Sequence, residues 1–357
     1  MTVVAFNDPR VKYQTATLNG IEYNYILGEP SCDVVGTIFL IHGWPDMSLG
    51  WRHQIPFLLS KGLRVVAPDM MGYGRTAKPE DVDLYRAKRT ADDMAALASH
   101  IGVSRIILGG HDWGGYIVYR AALWHPELIS AFFVISTPFA PPRLAYVDQA
   151  AALPTLHYQY QFRTDAVQNY IGLGEQNATR VRQLLNTIYG VELPGGGSAF
   201  NASGAGFDFD LLDRVTEDTP LVSEKELDFY VDNYLGEPFN RTLNWYRTGE
   251  LNWEDELALV PGNGSYTAKF SQPALYIGGT RDSALPPVLS TGMEAYFDSL
   301  ARGEADGSHW VMWEKPEEVN GFIGNWLGES VFGNVTFGFN LTAGLGAAGA
   351  SGALSLL

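Results

Sequence analysis

A single cysteine, Cys32, stands among 357 residues, so no internal disulfide can staple the fold. It is read as an inert thiol at or near the surface. Basic residues are also scarce: 24 Lys and Arg face 40 Asp and Glu, a formal charge of −16. That balance argues against nucleic acid or an anionic membrane as partner and favours solubility. No apolar run is long enough to span a bilayer. Residues 1–10 lack a basic stretch followed by an apolar one, so no signal peptide is expected. Six Asn-x-Ser/Thr sequons (Asn177, Asn201, Asn240, Asn263, Asn334, Asn340) would suit a secreted chain, yet without such a signal they need not be used. A cytoplasmic location is therefore expected, with secretion the minority alternative.

What is present is a rhythm of short apolar runs and amphipathic stretches. Residues 13–18 and 21–27 flank Asn19-Gly20, a type I′ hairpin signal. Runs at 37–41, 63–67, 106–108, 131–135 and 274–277 read as buried strands, and 90–100, 116–124 and 316–326 as helices. Such alternation predicts a mostly parallel α/β sheet with helices on both faces. The rhythm stops between residues 143 and 253, which are rich in Tyr, Gln, Asn and Phe. This segment is expected to be an inserted helical cap, with the Gly/Ser/Ala stretch 195–206 as a flexible connection. The core is then 1–142 with 254–330. Residues 331–357 form a small-residue-rich tail, expected to be disordered or loosely docked. The stretch 283–304 reads as helix-like.

The chain is organised around Gly109-Gly-His-Asp-Trp-Gly-Gly115, which lies between a strand and a helix. Strand, glycine-flanked turn and helix make the shape of a nucleophile elbow. The exposed position of such a turn is usually serine; here it is Asp112. A carboxylate nucleophile suits attack on saturated carbon and forms an alkyl ester on the protein. The bland alternative is a turn or helix-capping aspartate. A nucleophile of this kind needs a base and an orienting acid, in the chain order nucleophile, acid, histidine. Asp282, just past the run 274–277, and His309, in the loop before the last helix, satisfy that order. Asp306 is a rival orienter, better read as a turn former. Two backbone N–H groups should stabilise the oxyanion of ester hydrolysis. Trp113 follows the nucleophile and supplies one; the loop His42-Gly-Trp-Pro supplies the other, assigned to Trp44. His42 itself is read as bonded into that loop, because His309 already fills the base role.

Gly-His-Asp-Trp-Gly-Gly resembles the elbow of epoxide hydrolases and of haloalkane dehalogenases, and His42-Gly-Trp-Pro45 resembles the His-Gly-x-Pro motif of the former. In that family two cap tyrosines donate protons to the epoxide oxygen. Leu243-Asn-Trp-Tyr-Arg247 matches the context of the second and points to Tyr246. Tyr158-Gln-Tyr-Gln-Phe162 matches the first and points to Tyr158, with Tyr160 a shifted alternative. Over residues 6–327 the chain therefore resembles a soluble-type, α/β-hydrolase-fold epoxide hydrolase, which implies an eight-stranded sheet. The resemblance implies a cofactor-free and metal-free enzyme that turns small apolar epoxides and water into vicinal diols. A homodimer is compatible with it. Trp44, Trp113, Phe139, Gln159, Phe162, Trp245 and Trp310 are the candidates for the pocket wall. A haloalkane dehalogenase would more readily carry its acid after the strand that follows the elbow, where Thr137-Pro138-Phe139 offers no carboxylate. A non-catalytic ligand binder on the same scaffold would show a broken catalytic set, and none is broken here.

Overall fold

The computed structural model describes residues 3–174, 177–261 and 266–333. The tail from residue 334 onward lies outside the described residues, as do the sequons at Asn263, Asn334 and Asn340.

Strands β1 (Val11–Leu18) and β2 (Ile21–Gly28) pair as an antiparallel hairpin. Its corner residues have φ of +46° (Asn19) and +88° (Gly20), the two positive values a type I′ turn requires. In chain order there follow β3 (Gly36–Ile41), helix α1 (Gln54–Ser60), β4 (Leu63–Pro68) and α2 (Ala87–His100). Then come β5 (Ile106–His111), α3 (Trp113–Trp124) and β6 (Ile129–Ile135). Helix α2 starts three residues before its periodic stretch. Asn252 explains this, since its side-chain oxygen accepts the Ala87 N–H at 2.7 Å. That cap comes from a distant part of the chain and leaves no local signal.

After β6 the chain leaves the sheet. It makes short helical turns, helix α4 (Asn177–Ile188), a two-stranded ribbon of β7 (Phe200–Asn201) and β8 (Gly206–Phe207), α5 (Glu224–Tyr234) and α6 (Gly249–Glu256). Of the glycine-rich stretch 195–206, expected as a flexible connection, residues 195–198 are exposed, whereas the part from Ala199 on is packed down. Ala199, Ala202 and Phe207 are buried, and the Phe207 ring stacks on Phe162 at 5.7 Å. The aromatic residues punctuating the glycines hold it down.

The chain re-enters the sheet as β9 (Ala274–Gly279) and β10 (Leu300–Ala305), and closes with α7 (Pro316–Trp326). The helix-like reading of 283–304 is corrected: two 3₁₀ turns, Pro287–Ser290 and Met293–Tyr296, lead into β10. This strand lies at the sheet edge with Arg302 and Glu304 outward, so it carries no apolar run to betray it. The eight strands run in the order β1-β2-β4-β3-β5-β6-β9-β10, with only β2 reversed. Helices α2 and α3 pack together, as do α1 and α7, and the sheet core between them is fully buried aliphatic and aromatic. Among the described residues, no helix is long and apolar enough to cross a membrane.

Packing at the strand-to-helix corner is tightest where β5 meets α3. A Cβ on Gly114 would lie 1.9 Å from the Ile41 carbonyl oxygen, so the helix can approach β3 only because that residue is glycine. Gly114→Ala is therefore expected to lower stability by roughly 3 kcal/mol in urea unfolding. Gly321→Ala, on α7 with nothing within 4 Å of the new methyl, should be neutral or slightly stabilising.

Candidate active site

Asp112 sits in the turn between β5 and α3 with φ +54° and ψ −123°, a conformation that L-residues rarely adopt. The carbonyl of Asp112 accepts the Thr137 hydroxyl at 2.6 Å, which helps hold the turn. Its carboxylate faces two partners. Oδ1 accepts the backbone N–H of Trp44 at 2.8 Å, and Oδ2 lies 3.6 Å from His309 Nε2. On the other side of that ring, Nδ1 meets Asp282 Oδ2 at 2.8 Å. Asp282 is 3% exposed, and its other oxygen accepts the N–H groups of Ala284 and Leu285 at 2.9 and 2.8 Å. The strands β5 and β9 thus deliver both carboxylates to one end of the sheet, and the loop after β10 places the imidazole between them.

Trp44 lies in the loop after β3, where the Trp44–Pro45 peptide is cis. Its indole N–H donates to the Thr242 hydroxyl at 3.1 Å. His42 is bonded into the same loop, with Nδ1 2.8 Å from the Gly43 carbonyl and Nε2 accepting the Met70 N–H at 2.8 Å. An acceptor at Nε2 means that the proton is on Nδ1. Trp113 opens α3, so its N–H has no acceptor within the helix.

Electrostatics follow from burial and pairing. Burial works against the His309 imidazolium, but the charges of Asp282 and Asp112 outweigh it and lift the pKa to about 10. Burial likewise opposes ionisation of Asp282, yet His309 and the two backbone donors bring it down to about 2. Asp112 is also held below the usual carboxylate range, against its burial, by His309 and the Trp44 N–H. The resting site is therefore carboxylate, imidazolium, carboxylate.

Across from Asp112 a cavity of about 220 Å³ is lined by Trp113, Tyr158, Gln159, Tyr246 and the side chains of Leu153, Leu156, Leu285 and Leu289. The Tyr158 and Tyr246 rings are 6.0 Å apart, and Tyr246 packs edge-on to Trp113 at 5.2 Å. Burial raises the pKa of both phenols, and the Asp112 charge adds to it, so both remain protonated donors at neutral pH. Tyr160 is 47% exposed and points away from the cavity wall. Of the other proposed wall residues, Trp44, Phe139, Phe162, Trp245 and Trp310 do not line the cavity. They form the layer behind it: Phe162 backs Trp44 and Tyr246, Phe139 packs on Tyr119 and Phe270, and Trp310 stacks on Trp313. Aromatic residues near the motifs were too numerous for sequence position alone to separate wall from backing.

Several supporting residues carry no local sequence signal. Gln161 bonds both the N–H and the carbonyl of Phe207 at 2.8 Å, and the Tyr158 N–H donates to Ala202 at 3.1 Å, so the glycine-rich ribbon fixes Tyr158. His111 is buried and held neutral, its pKa pushed down to about 4 chiefly by burial; its Nε2–H donates to the His309 carbonyl at 2.8 Å. Glu314 accepts the Ser308 N–H and hydroxyl, and Arg281 bridges Glu314 to Asp306, tying the base loop to the residue beside Asp282. Asp306 is thereby a surface ion-pair partner and not the orienter of His309.

A family model described as alpha/beta hydrolase fold matches residues 36–187. Fold, elbow and carboxylate–imidazole–carboxylate arrangement together define that class. Epoxide hydrolase srdG of Neurospora crassa is 38% identical over 90% of this chain and 96% of its own length. Epoxide hydrolase A of Mycobacterium tuberculosis is 32% identical over 84% of this chain and 92% of its own. The crystal structure of epoxide hydrolase VrEH1 from Vigna radiata aligns with a TM-score of 0.73 at 25% identity, covering 89% of this chain and 98% of that one. The chain belongs to the α/β-hydrolase-fold epoxide hydrolases.

Two linked titrations give a pH prediction. His309 has a folded pKa of about 10 against 6.5 for a free imidazole, so its stabilisation is complete below about 6.5 and lost as pH rises through 10. Asp282 falls to about 2 from 3.8, so its share is present above 3.8 and lost as pH falls through 2. Asp112→Asn removes one of the two anions facing the ring. NMR titration of His309 in that variant should give a pKa clearly below the wild-type value; an unchanged pKa contradicts the pairing. Glu314→Gln should reduce kcat several-fold by loosening the base loop, with KM little changed.

Proposed function

We propose that this protein hydrolyses apolar epoxides to vicinal diols through an ester on Asp112. The observation that carries the reading is one cavity flanked by an ionised, strained carboxylate on one side and two protonated phenols on the other. In the first step Asp112 Oδ2 attacks a ring carbon, the carbon–oxygen bond of the ring breaks, and Tyr158 and Tyr246 hold the departing oxygen and donate a proton. Esterification removes the charge of Asp112, one of the two anions that keep His309 protonated. The imidazolium then gives up its proton, which restores the phenol left deprotonated by ring opening, and becomes the base that the second step needs.

In that step His309, oriented by Asp282, takes a proton from water, whose oxygen attacks the Asp112 carbonyl carbon. The oxyanion that forms is stabilised by the N–H groups of Trp44 and Trp113. Collapse expels the diol and restores the carboxylate. The apolar wall favours substrates with aryl or alkyl substituents, and the helical segment 143–253 acts as the cap that brings the phenols over the elbow.

His309→Gln should still be alkylated but not hydrolysed. Mass spectrometry after incubation with styrene oxide is expected to show a stable adduct equal to one substrate on the peptide containing Asp112. In single turnover in heavy-oxygen water, wild-type label should enter Asp112 rather than the diol; label found directly in the first diol overturns the ester route. Tyr246→Phe should cut kcat by about tenfold and the double variant with Tyr158→Phe by about a hundredfold or more. Bromide release from a bromoalkane at a comparable rate would point to dehalogenation instead.

A further inference from the structure

We infer that Arg163 and Arg247 are positioning residues that hold the Tyr158 and Tyr246 phenols in register for one shared oxygen. The inference rests on the proposed role of those phenols in ring opening and deepens it by naming what aligns them. Tyr158 and Arg163 stand at the two ends of one helical turn, Gln159–Phe162, whose first bonds close on the Tyr158 carbonyl. Tyr246 and Arg247 end the 3₁₀ stretch Phe239–Arg247. Each arginine reaches across to the other segment. Arg163 Nε donates to the carbonyl of Tyr246 itself at 3.2 Å. In return Arg247 Nε donates to the Arg163 carbonyl at 3.2 Å, and its Nη2 to the Thr164 carbonyl at 3.1 Å.

The guanidinium groups are themselves oriented. Asp148 accepts Arg163 Nη1 and Nη2 in bidentate fashion at 2.9 and 2.7 Å, which fixes the plane of the group and aims Nε at Tyr246. Arg247 Nη1 donates to Asn244 Oδ1 and Nη2 to Asp165 Oδ1, both at 3.1 Å. As an ion pair alone, Arg163–Asp148 would matter little, since each side chain is 26% exposed. What sets it apart is a charged donor on the backbone of a reacting residue, matched by a second one running the other way. The 3₁₀ stretch is anchored to the core: the Trp245 indole donates to the Met71 carbonyl at 3.0 Å, and the Tyr73 hydroxyl to the Thr242 carbonyl at 3.1 Å. Tyr246 therefore has a fixed place against Trp113, and the crossed arginines bring the turn bearing Tyr158 to it. Two hydroxyls share one oxygen only if both lie within about 3 Å of it, so a slip of the turn by roughly an ångström removes one donor.

The test separates the two chemical steps. Rapid-quench mass spectrometry of the full-length protein with styrene oxide gives the rate of ester formation on Asp112 and the rate of its hydrolysis. Arg163→Met should slow ester formation about tenfold and leave ester hydrolysis within about twofold of wild type, because the phenols act in the first step. Normal hydrolysis in the same variant also reports an intact fold. Arg247→Met should give the same pattern, and Asp148→Asn, the mildest change, should slow the first step about threefold. In a Tyr246→Phe background one phenol remains and there is no pair to align, so adding Arg163→Met should cost less than about threefold. Equal losses in the two backgrounds, or both steps slowed alike, overturn the clamp. Ester formation at the wild-type rate in Arg163→Met overturns it as well. Tyr246→Phe forming the ester as fast as wild type is a different failure: it removes the phenol from ring opening, and the clamp with it, whatever the arginine variants do.

Discussion

The structure depends on one close approach: helix α3 lying against the carbonyl end of β3 at Gly114. That contact sets the sharp angle between β5 and α3, and the angle forces Asp112 into its positive-φ conformation. Raised in this way, the carboxylate leaves the plane of the sheet and reaches the Trp44 N–H and the His309 ring. A longer approach would relax the turn and lower the side chain back among the strand ends. Backbone packing thus sets the chemistry before any catalytic side chain is considered.

The second constraint is charge in a dry place. Two carboxylates and one imidazolium occupy a site shielded from water, and each is held ionised by its neighbours against its own burial. Such an arrangement stores a difference in proton affinity that appears only when one anion is neutralised. Under the proposed ester route, neutralisation is the first chemical step. The base is then switched on by the event that creates its substrate, and in the resting site His309 is protonated and cannot act out of turn.

Much of this was legible in the residues. The elbow, the order Asp112, Asp282, His309 and the alternation of strands and helices all rest on local patterns with a physical cause: glycine where backbones touch, apolar runs where strands are covered on both faces. The structure brings those three side chains together, with Trp44, Trp113, Tyr158 and Tyr246 around them. What could not be read was long-range or half-exposed. β10 turns charged side chains outward, and nothing in Leu300–Ala305 distinguishes it from a loop. The ribbon at Phe200 and Phe207 looks like a linker until its aromatic rings meet Phe162. Glu314, Gln161 and Thr242 support the site through contacts between segments that no spacing rule connects. As wall residues, Trp44, Phe139, Phe162, Trp245 and Trp310 are over-assigned for the converse reason, since an aromatic residue near a motif can as well be backing as wall.

The loop that carries Trp44 is also bonded to the helical segment between β6 and β9. The Trp44 indole holds Thr242, the Tyr189 hydroxyl donates to the Pro45 carbonyl, and the Tyr230 hydroxyl donates to the buried Asp46. Floor and roof are consequently one piece of masonry. Swinging the roof aside as a rigid body would dismantle the floor, so traffic of small molecules has to pass through a doorway, on the side where Arg143 and Tyr146 border the cavity and meet solvent.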